Sequence, residues 1–291
     1  ASPLAFFFLQ SGYRKEAPPA LVRLVRSHGH SLETIAAPAF TLGPTPKAKA
    51  IQHQHITDTA LSKVLAIEML SRDHDYILYV DGDILAFGDL HCERHVGFAA
   101  IAGACLDLSI GTGLDDPLMA ERCRVAGLSP FYFNSGVMMI NAARWRETRA
   151  FDRFAETFAT HREHCPYLSE CPTHDQCVFN MTFGWETVYL PIDLNVQKSA
   201  MHTEAWERAL VRHYTGPRKF LPVRWRTCDR REFALIKAIS REAGLAGPGL
   251  HDLGVAYRLN ALRRRVTVAT YEEAIRAVSA AYPRIASAAS A

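Results

Sequence analysis

A chain of 291 residues, 48% of them hydrophobic, carries enough apolar material for one large domain or for one with a smaller appendage. With 22% charged residues and a net charge of +3, it lacks the strong basic cluster that tracks phosphates, which argues against a nucleic-acid partner. No apolar run is long enough to cross a bilayer.

Leu4 to Leu9 is short, follows no basic segment and reads as a first, buried strand rather than a signal peptide. Pro18-Pro19 opens a helix through Leu21, Leu24 and Val25, which Ser27 to His30 closes before a second strand. A Pro- and Thr-rich loop runs from Pro38 to Lys47. Thr57-Asp58-Thr59 then reads as the cap of a helix with apolar positions Leu61, Val64, Leu65, Ile67 and Leu70. Tyr76 to Val80 is an apolar run with β-branched and aromatic content, a buried strand that ends in Asp81-Gly82-Asp83.

Further strands are expected at Phe98 to Cys105, Gly136 to Ile140 and Thr187 to Tyr189, and helices at Pro117 to Ala126, Ala150 to His164 and Asp175 to Met181. The alternation predicts an α/β fold with a mixed, mostly parallel sheet flanked by helices. After about Arg226 the pattern changes. Arg230 to Ala243 and Tyr257 to Ala281 read as helices around a Gly/Pro loop, so residues 1–228 are expected to form the catalytic domain and 229–291 a small C-terminal helical extension. The seven cysteines include no C-x-x-C pair. Cys165, Cys171 and Cys177 share an even six-residue spacing, but free thiols of a reducing cytoplasm are the default expectation over a structural metal.

Four segments carry chemistry. Asp81 and Asp83 are two apart in an extended stretch and so face one side, where both carboxylates can approach one hard cation; Gly82 leaves room for a diphosphate. His213 precedes Tyr214-Thr215-Gly216-Pro217-Arg218-Lys219; an imidazole suits Mn²⁺ better than Mg²⁺, Gly216 permits close backbone approach and Lys219 supplies charge. Asn134 and Ser135 precede the apolar strand of Gly136 to Ile140, where they can meet sugar hydroxyls or simply form a turn. Asp175 and Gln176 begin a helix, where Asp175 can equally be an N-cap.

In order, D-G-D, F-N-S-G-V-M-M-I-N, D-Q-C-V-F-N, L-P-x-x-x-N and H-Y-T-G-P-x-K resemble glycosyltransferase family 8 from Ala5 to about Lys219. The resemblance implies an A-type glycosyltransferase fold, a nucleotide-sugar donor (UDP-galactose or UDP-glucose), Mn²⁺ or Mg²⁺, and retention of anomeric configuration. Bacterial lipopolysaccharide galactosyl- and glucosyltransferases and glycogenin belong to that family. It also implies that Asp81, Asp83 and His213 are metal ligands and that Lys63 meets the donor. Asn134, Ser135 and Asp107 then line the sugar pocket, Asp175 and Gln176 lie nearest the reacting carbon, and Gly216 and Lys219 contact the diphosphate. One departure is the turn after the first strand, Gln10-Ser11-Gly12-Tyr13, where the family places acidic or Asn residues; Tyr13 is left to stack on the base.

Two other readings compete. One is a nucleotide-sugar or glycan-binding protein without catalysis. The other is a haloacid-dehalogenase-type phosphohydrolase with Asp81 as nucleophile and Asp115-Asp116 as its late acidic pair, which leaves the Asn134 and His213 segments unexplained. The expected acceptor is a glycan or a lipid-linked hydroxyl and the expected location is the cytoplasm. Tyr257, Leu259, Leu262, Val266 and Val268, interleaved with Arg258, Arg263, Arg264 and Arg265, suit a peripheral contact with the inner face of the membrane.

Overall fold

A computed structural model describes residues 4–10, 16–36, 54–91, 94–108, 117–161, 165–167, 174–215, 229–245 and 261–288. The expectations for Tyr13, Gly216 and Lys219, and for most of the Pro38–Lys47 and Gly244–Gly254 loops, lie outside the described residues. The chain divides into two compact units, residues 1–39 with 216–265 and residues 40–215 with 266–291.

In the first unit, β1 (Ala5–Gln10) pairs in parallel with β2 (Ser31–Ala36) through α1 (Pro19–Ser27), which starts on a proline as a first helical turn allows. The strand β1 is not buried as its run of phenylalanines suggested: Leu4 and Phe6 are 56% and 41% exposed. An apolar run identifies a strand but not what covers its faces. Helix α8 (Arg230–Glu242) opens on a capping box in which Asp229 accepts from the Glu232 N–H and Glu232 accepts from the Asp229 N–H.

The second unit holds a four-stranded sheet in the order β3 (Tyr76–Val80), β6 (Phe133–Asn141), β5 (Ala102–Leu106), β7 (Thr187–Tyr189). A three-stranded sheet runs β4 (Ile84–Ala86), β9 (Val211–His213), β8 (Val196–Gln197). Strand direction is mixed: β6 is antiparallel to both its neighbours and β4 to β9, while β5–β7 and β8–β9, like β1–β2, are parallel. Eight of the nine residues of β6 are buried. It therefore extends upstream of the expected Gly136, and Asn134 and Ser135 lie within the strand rather than in a turn before it. By contrast β3 is an edge strand with Leu78 and Val80 exposed, so its apolar run is half covered rather than buried.

The core against this sheet comes from α2 (Gln54–Leu70), α4 (Ala142–Glu147), α5 (Ala150–His161) and α6 (His174–Phe183). Ala150, Phe154, Phe158 and His161 form the buried stripe of α5 at helical spacing. Phe154, Phe179 and Phe183 meet Trp145 in a cluster of tilted rings. Thr57-Asp58-Thr59 does not cap α2: the helix starts at Gln54 and runs through these residues. Three short helical turns, α7 (Glu204–Arg208), capped by Thr203, and α9 (Arg265–Ala288) complete the unit. No helix among the described residues is long and apolar enough to cross a membrane.

Candidate active site

Two non-local pairings assemble the site. At the end of β3, Val80 sits opposite Val137 and the Asp81 N–H donates to the Gly136 carbonyl over 2.8 Å. Across β4–β9, Ile84 sits opposite His213, and the Tyr214 N–H donates to the Asp83 carbonyl over 2.9 Å. Asp81 and Asp83 are thus brought to His213 from opposite ends of a turn through Gly82, rather than along one extended strand as their spacing suggested. His213 Nε2 lies 3.5 Å from Asp81 Oδ2 and 3.4 Å from Asp83 Oδ1.

These three residues offer two carboxylate oxygens and an imidazole nitrogen, all within 4.8 Å of one another. Burial alone would lower the basicity of His213, but its bonds to Asp81 and Asp83 outweigh it and push the pKa up to about 9. Burial likewise disfavours the Asp81 carboxylate, yet His213 and Lys63 hold its pKa well below the usual range. The buried His213 proton thus occupies the place where a divalent cation fits. Gly136 keeps that place open: a Cβ there would stand 2.2 Å from His213 Cε1 and 2.7 Å from Asp81 Oδ2. The donor set of two carboxylates and one imidazole suits a divalent cation such as Mn²⁺ or Mg²⁺.

Behind the triad lies a buried polar network. Asp107 follows β5 where the pairing with β6 shifts register between Ala104 and Leu106, and its carboxylate accepts from Asn134 Nδ2 and Gln176 Nε2, each over 2.9 Å. Gln176 Oε1 accepts from the Ser135 N–H over 3.1 Å. Asn134 Oδ1 accepts from the Gly136 N–H over 3.0 Å and from Asn195 Nδ2 over 2.9 Å. Asn195 Oδ1 lies 3.1 Å from His213 Nδ1. Because the Asn195 amide group already donates to Asn134, its oxygen accepts, so Nδ1 carries the proton. In the neutral ring that leaves the lone pair on Nε2, the nitrogen facing both aspartates, where a cation could take it.

Lys63 is 3% exposed; its ammonium lies 2.5 Å from Asp175 and donates to Ser135 Oγ over 2.9 Å. Burial lowers its pKa, but Asp175 and Asp81 outweigh that and raise it. Asp175 is therefore a compensated carboxylate. Asp81, Asp83, His213, Asp107, Asn134, Ser135, Lys63, Asp175 and Gln176 are all brought together. Three other residues belong with them. Tyr79 donates to Asp81 Oδ1 over 2.6 Å, and its place two residues earlier on the same strand face was a readable signal. Asn195 stands in the L-P-x-x-x-N segment, whose role only the pairing of β8 with β9 reveals. Asn180 accepts from the Phe133 N–H and donates to the Phe133 and Gln176 carbonyls, tying β6 to α6.

This architecture is that of the A-type glycosyltransferases. The galactosyltransferase LgtC, solved in complex with donor and acceptor sugar analogs, superposes with a TM-score of 0.56 at 20% identity over 84% of this chain and 85% of that one. The bifunctional glycosyltransferase WbbM superposes at 0.57 with 18% identity over 76% of this chain and 41% of that one. The chain belongs to glycosyl transferase family 8, whose model matches residues 6–221. The lipopolysaccharide 1,2-glucosyltransferase of Escherichia coli K12 is 24% identical over 54% of this chain and 47% of its own length. The lipopolysaccharide glucosyltransferase WaaO of the same strain is 28% identical over 49% and 43%. The chain thus spans less than half the length of these curated relatives. Family membership leaves no basis for the phosphohydrolase reading.

Proposed function

We propose that this protein is a retaining, Mn²⁺-dependent glycosyltransferase that moves galactose or glucose from a UDP-sugar to a hydroxyl of a glycan acceptor. The observation that carries this reading is the convergence of Asp81, Asp83 and His213 beside the Asp107–Asn134–Gln176 network, in a chain of this family. The catalytic function is assigned to residues 1–228, with 229–291 as the helical extension.

A bound Mn²⁺ would supply a positive charge for the departing diphosphate. The chain's own residues do the rest. Asp81 and Asp83 face the cation place, and Tyr79 and Gly136 keep Asp81 aimed there. Asp107, Asn134 and Gln176 form a fixed wall of carboxylate and amide groups for sugar hydroxyls. Lys63 neutralises Asp175, which makes that carboxylate a weak nucleophile. Retention then fits a front-face route in which the leaving phosphate takes the acceptor proton and the Gln176 amide stabilises charge. Gly216 and Lys219 are assigned to the diphosphate and Tyr13 to the base.

The acceptor is proposed to be a lipopolysaccharide-type glycan, approached from the inner face of the membrane. Exposed Leu262 (67%) and Val266 (74%) beside Arg263, Arg264 and Arg265 support a peripheral contact there. Incubating purified protein with UDP-galactose and UDP-glucose, with Mn²⁺ or with chelator, tests the central reading. Slow release of UDP from one donor is expected with Mn²⁺ only, with an α-configured product by NMR in the presence of acceptor. Asp83→Ala should abolish release. Stabilisation by a donor without any turnover would point to a binding protein instead.

A further inference from the structure

A second cluster of ligand-type side chains lies away from the aspartates. His161 ends α5, Cys177 is the fourth residue of α6, and Cys165 lies between the two helices. A nitrogen of His161 and the thiols of Cys165 and Cys177 all lie within 4.8 Å of one another. His161 and Cys177 are buried, while Cys165 is partly exposed and gives the cluster a way out to solvent.

We propose that His161, Cys165 and Cys177 bind a soft divalent cation, zinc by ligand chemistry, at a site distinct from Asp81–Asp83–His213. A tetrahedral zinc takes sulfur at about 2.3 Å and imidazole nitrogen at about 2.0–2.1 Å, so its ligand atoms stand about 3.5–3.8 Å apart. Against the 4.8 Å within which the three atoms lie, the cluster needs to contract by about 1 Å. The charge balances: two thiolates and a neutral imidazole cancel a doubly charged ion, which a buried place requires. Binding releases the two thiol protons to solvent. Tyr132 OH lies 3.0 Å from Cys177 Sγ and can donate to that thiolate from outside the coordination shell. The two clusters sort their ions by hardness: sulfur and nitrogen here select zinc, whereas two oxygens and a nitrogen at the diphosphate site favour manganese or magnesium.

The position has a consequence for the active site. Cys177 directly follows Asp175 and Gln176, so an ion there pins the first turn of α6 that carries them. His161 and the two cysteines then act as positioning residues for that pair.

The test is metal analysis of full-length protein, purified without chelator under reducing conditions from zinc-supplemented cells, followed by exchange with Co²⁺. Zinc close to one per chain is expected, and Co²⁺ should give an intense near-ultraviolet thiolate charge-transfer band. Asp83→Asn should keep both signals. Cys177→Ser and, separately, the partly exposed Cys165→Ser should lose them while circular dichroism shows a folded protein. Assayed with saturating Mn²⁺ throughout, zinc-stripped enzyme should turn over donor only after Zn²⁺ is added back. Absence of the cobalt band in wild-type protein with free thiols would overturn the proposal. So would a band that persists in both cysteine variants, or a Cys165–Cys177 disulfide in the purified protein.

Discussion

Gly136 shows how a residue with no side chain decides the chemistry of its neighbours. The space that its missing Cβ leaves is filled by the His213 ring and the Asp81 carboxylate. Gly136→Ala is therefore expected to displace both, costing about 1–3 kcal/mol of stability through overpacking. Donor turnover should fall about a hundredfold or more, with Mn²⁺ affinity weakened; calorimetric Mn²⁺ titration checks it. A second expectation concerns pH. In metal-free protein the His213 pKa is raised to about 9, so its contribution to stability is complete below about 6.5 and fades as pH rises through 9. Asp81 is depressed, so its contribution is present above about 4 and fades as pH falls below that. The melting temperature of the metal-free protein should peak between those limits, and His213→Gln should flatten its alkaline side. Residue types at these positions were readable from sequence. The tautomer of His213 was not, because it depends on Asn195 through a strand pairing that spacing does not encode.

Strand β6 and helix α6 carry most of the polar network between them, and Asn180 is the joint. Its amide satisfies both the N–H and the carbonyl of Phe133 while also holding the Gln176 carbonyl, all in buried surroundings. Asn180→Ala leaves the Phe133 N–H and carbonyl without this partner, an expected cost of about 3 kcal/mol by denaturant unfolding. Because Gln176 and Ser135 then lose their mutual register, kcat should fall more than KM rises. The regular elements were legible where periodicity or length was strong: β3, α3 (Pro117–Val125), α5, α6 and β7 fall close to the expected places. Others were not. The start of β6 looked like a turn because Asn, Ser and Gly favour turns. The cap of α2 was misplaced because Thr and Asp also sit inside helices when tertiary packing supports them.

At the scale of the molecule, each of the two compact units is built from segments distant in the chain. The N-terminal β1–α1–β2 segment shares a unit with residues 216–265, and the last helix shares one with the catalytic sheet. Chain order could not reveal this, since it depends on contacts between distant segments. The surface at Leu262 and Val266 belongs to this scale too. Full-length protein is expected to sediment with anionic vesicles at low salt and to be released by high salt, whereas a chain ending before Tyr257 stays in the supernatant. Equal behaviour of the two would assign the tail to folding alone.

The amide groups between Asp107 and His213 have a sense, and the Asp107 carboxylate and the Gly136 N–H write it together. An amide can point either way; a carboxylate only accepts. With Asp107 at one end, Asn134 must turn its NH₂ toward it, Asn195 must turn its NH₂ toward Asn134, and the imidazole must offer N–H to Asn195. The tautomer of His213 is thus set in part from three hydrogen bonds away, by a side chain that lies outside the Asp81–Asp83–His213 group, with no atom moving. Asp107→Asn keeps the shape and leaves the Gly136 N–H alone to hold the direction. The neutral His213 ring, observed by ¹⁵N NMR in metal-free protein above pH about 9, should then change from one tautomer to a mixture. Mn²⁺ affinity should drop by the fraction of chains left facing the wrong way; an unchanged single tautomer would mean that the strand, not the carboxylate, sets the direction.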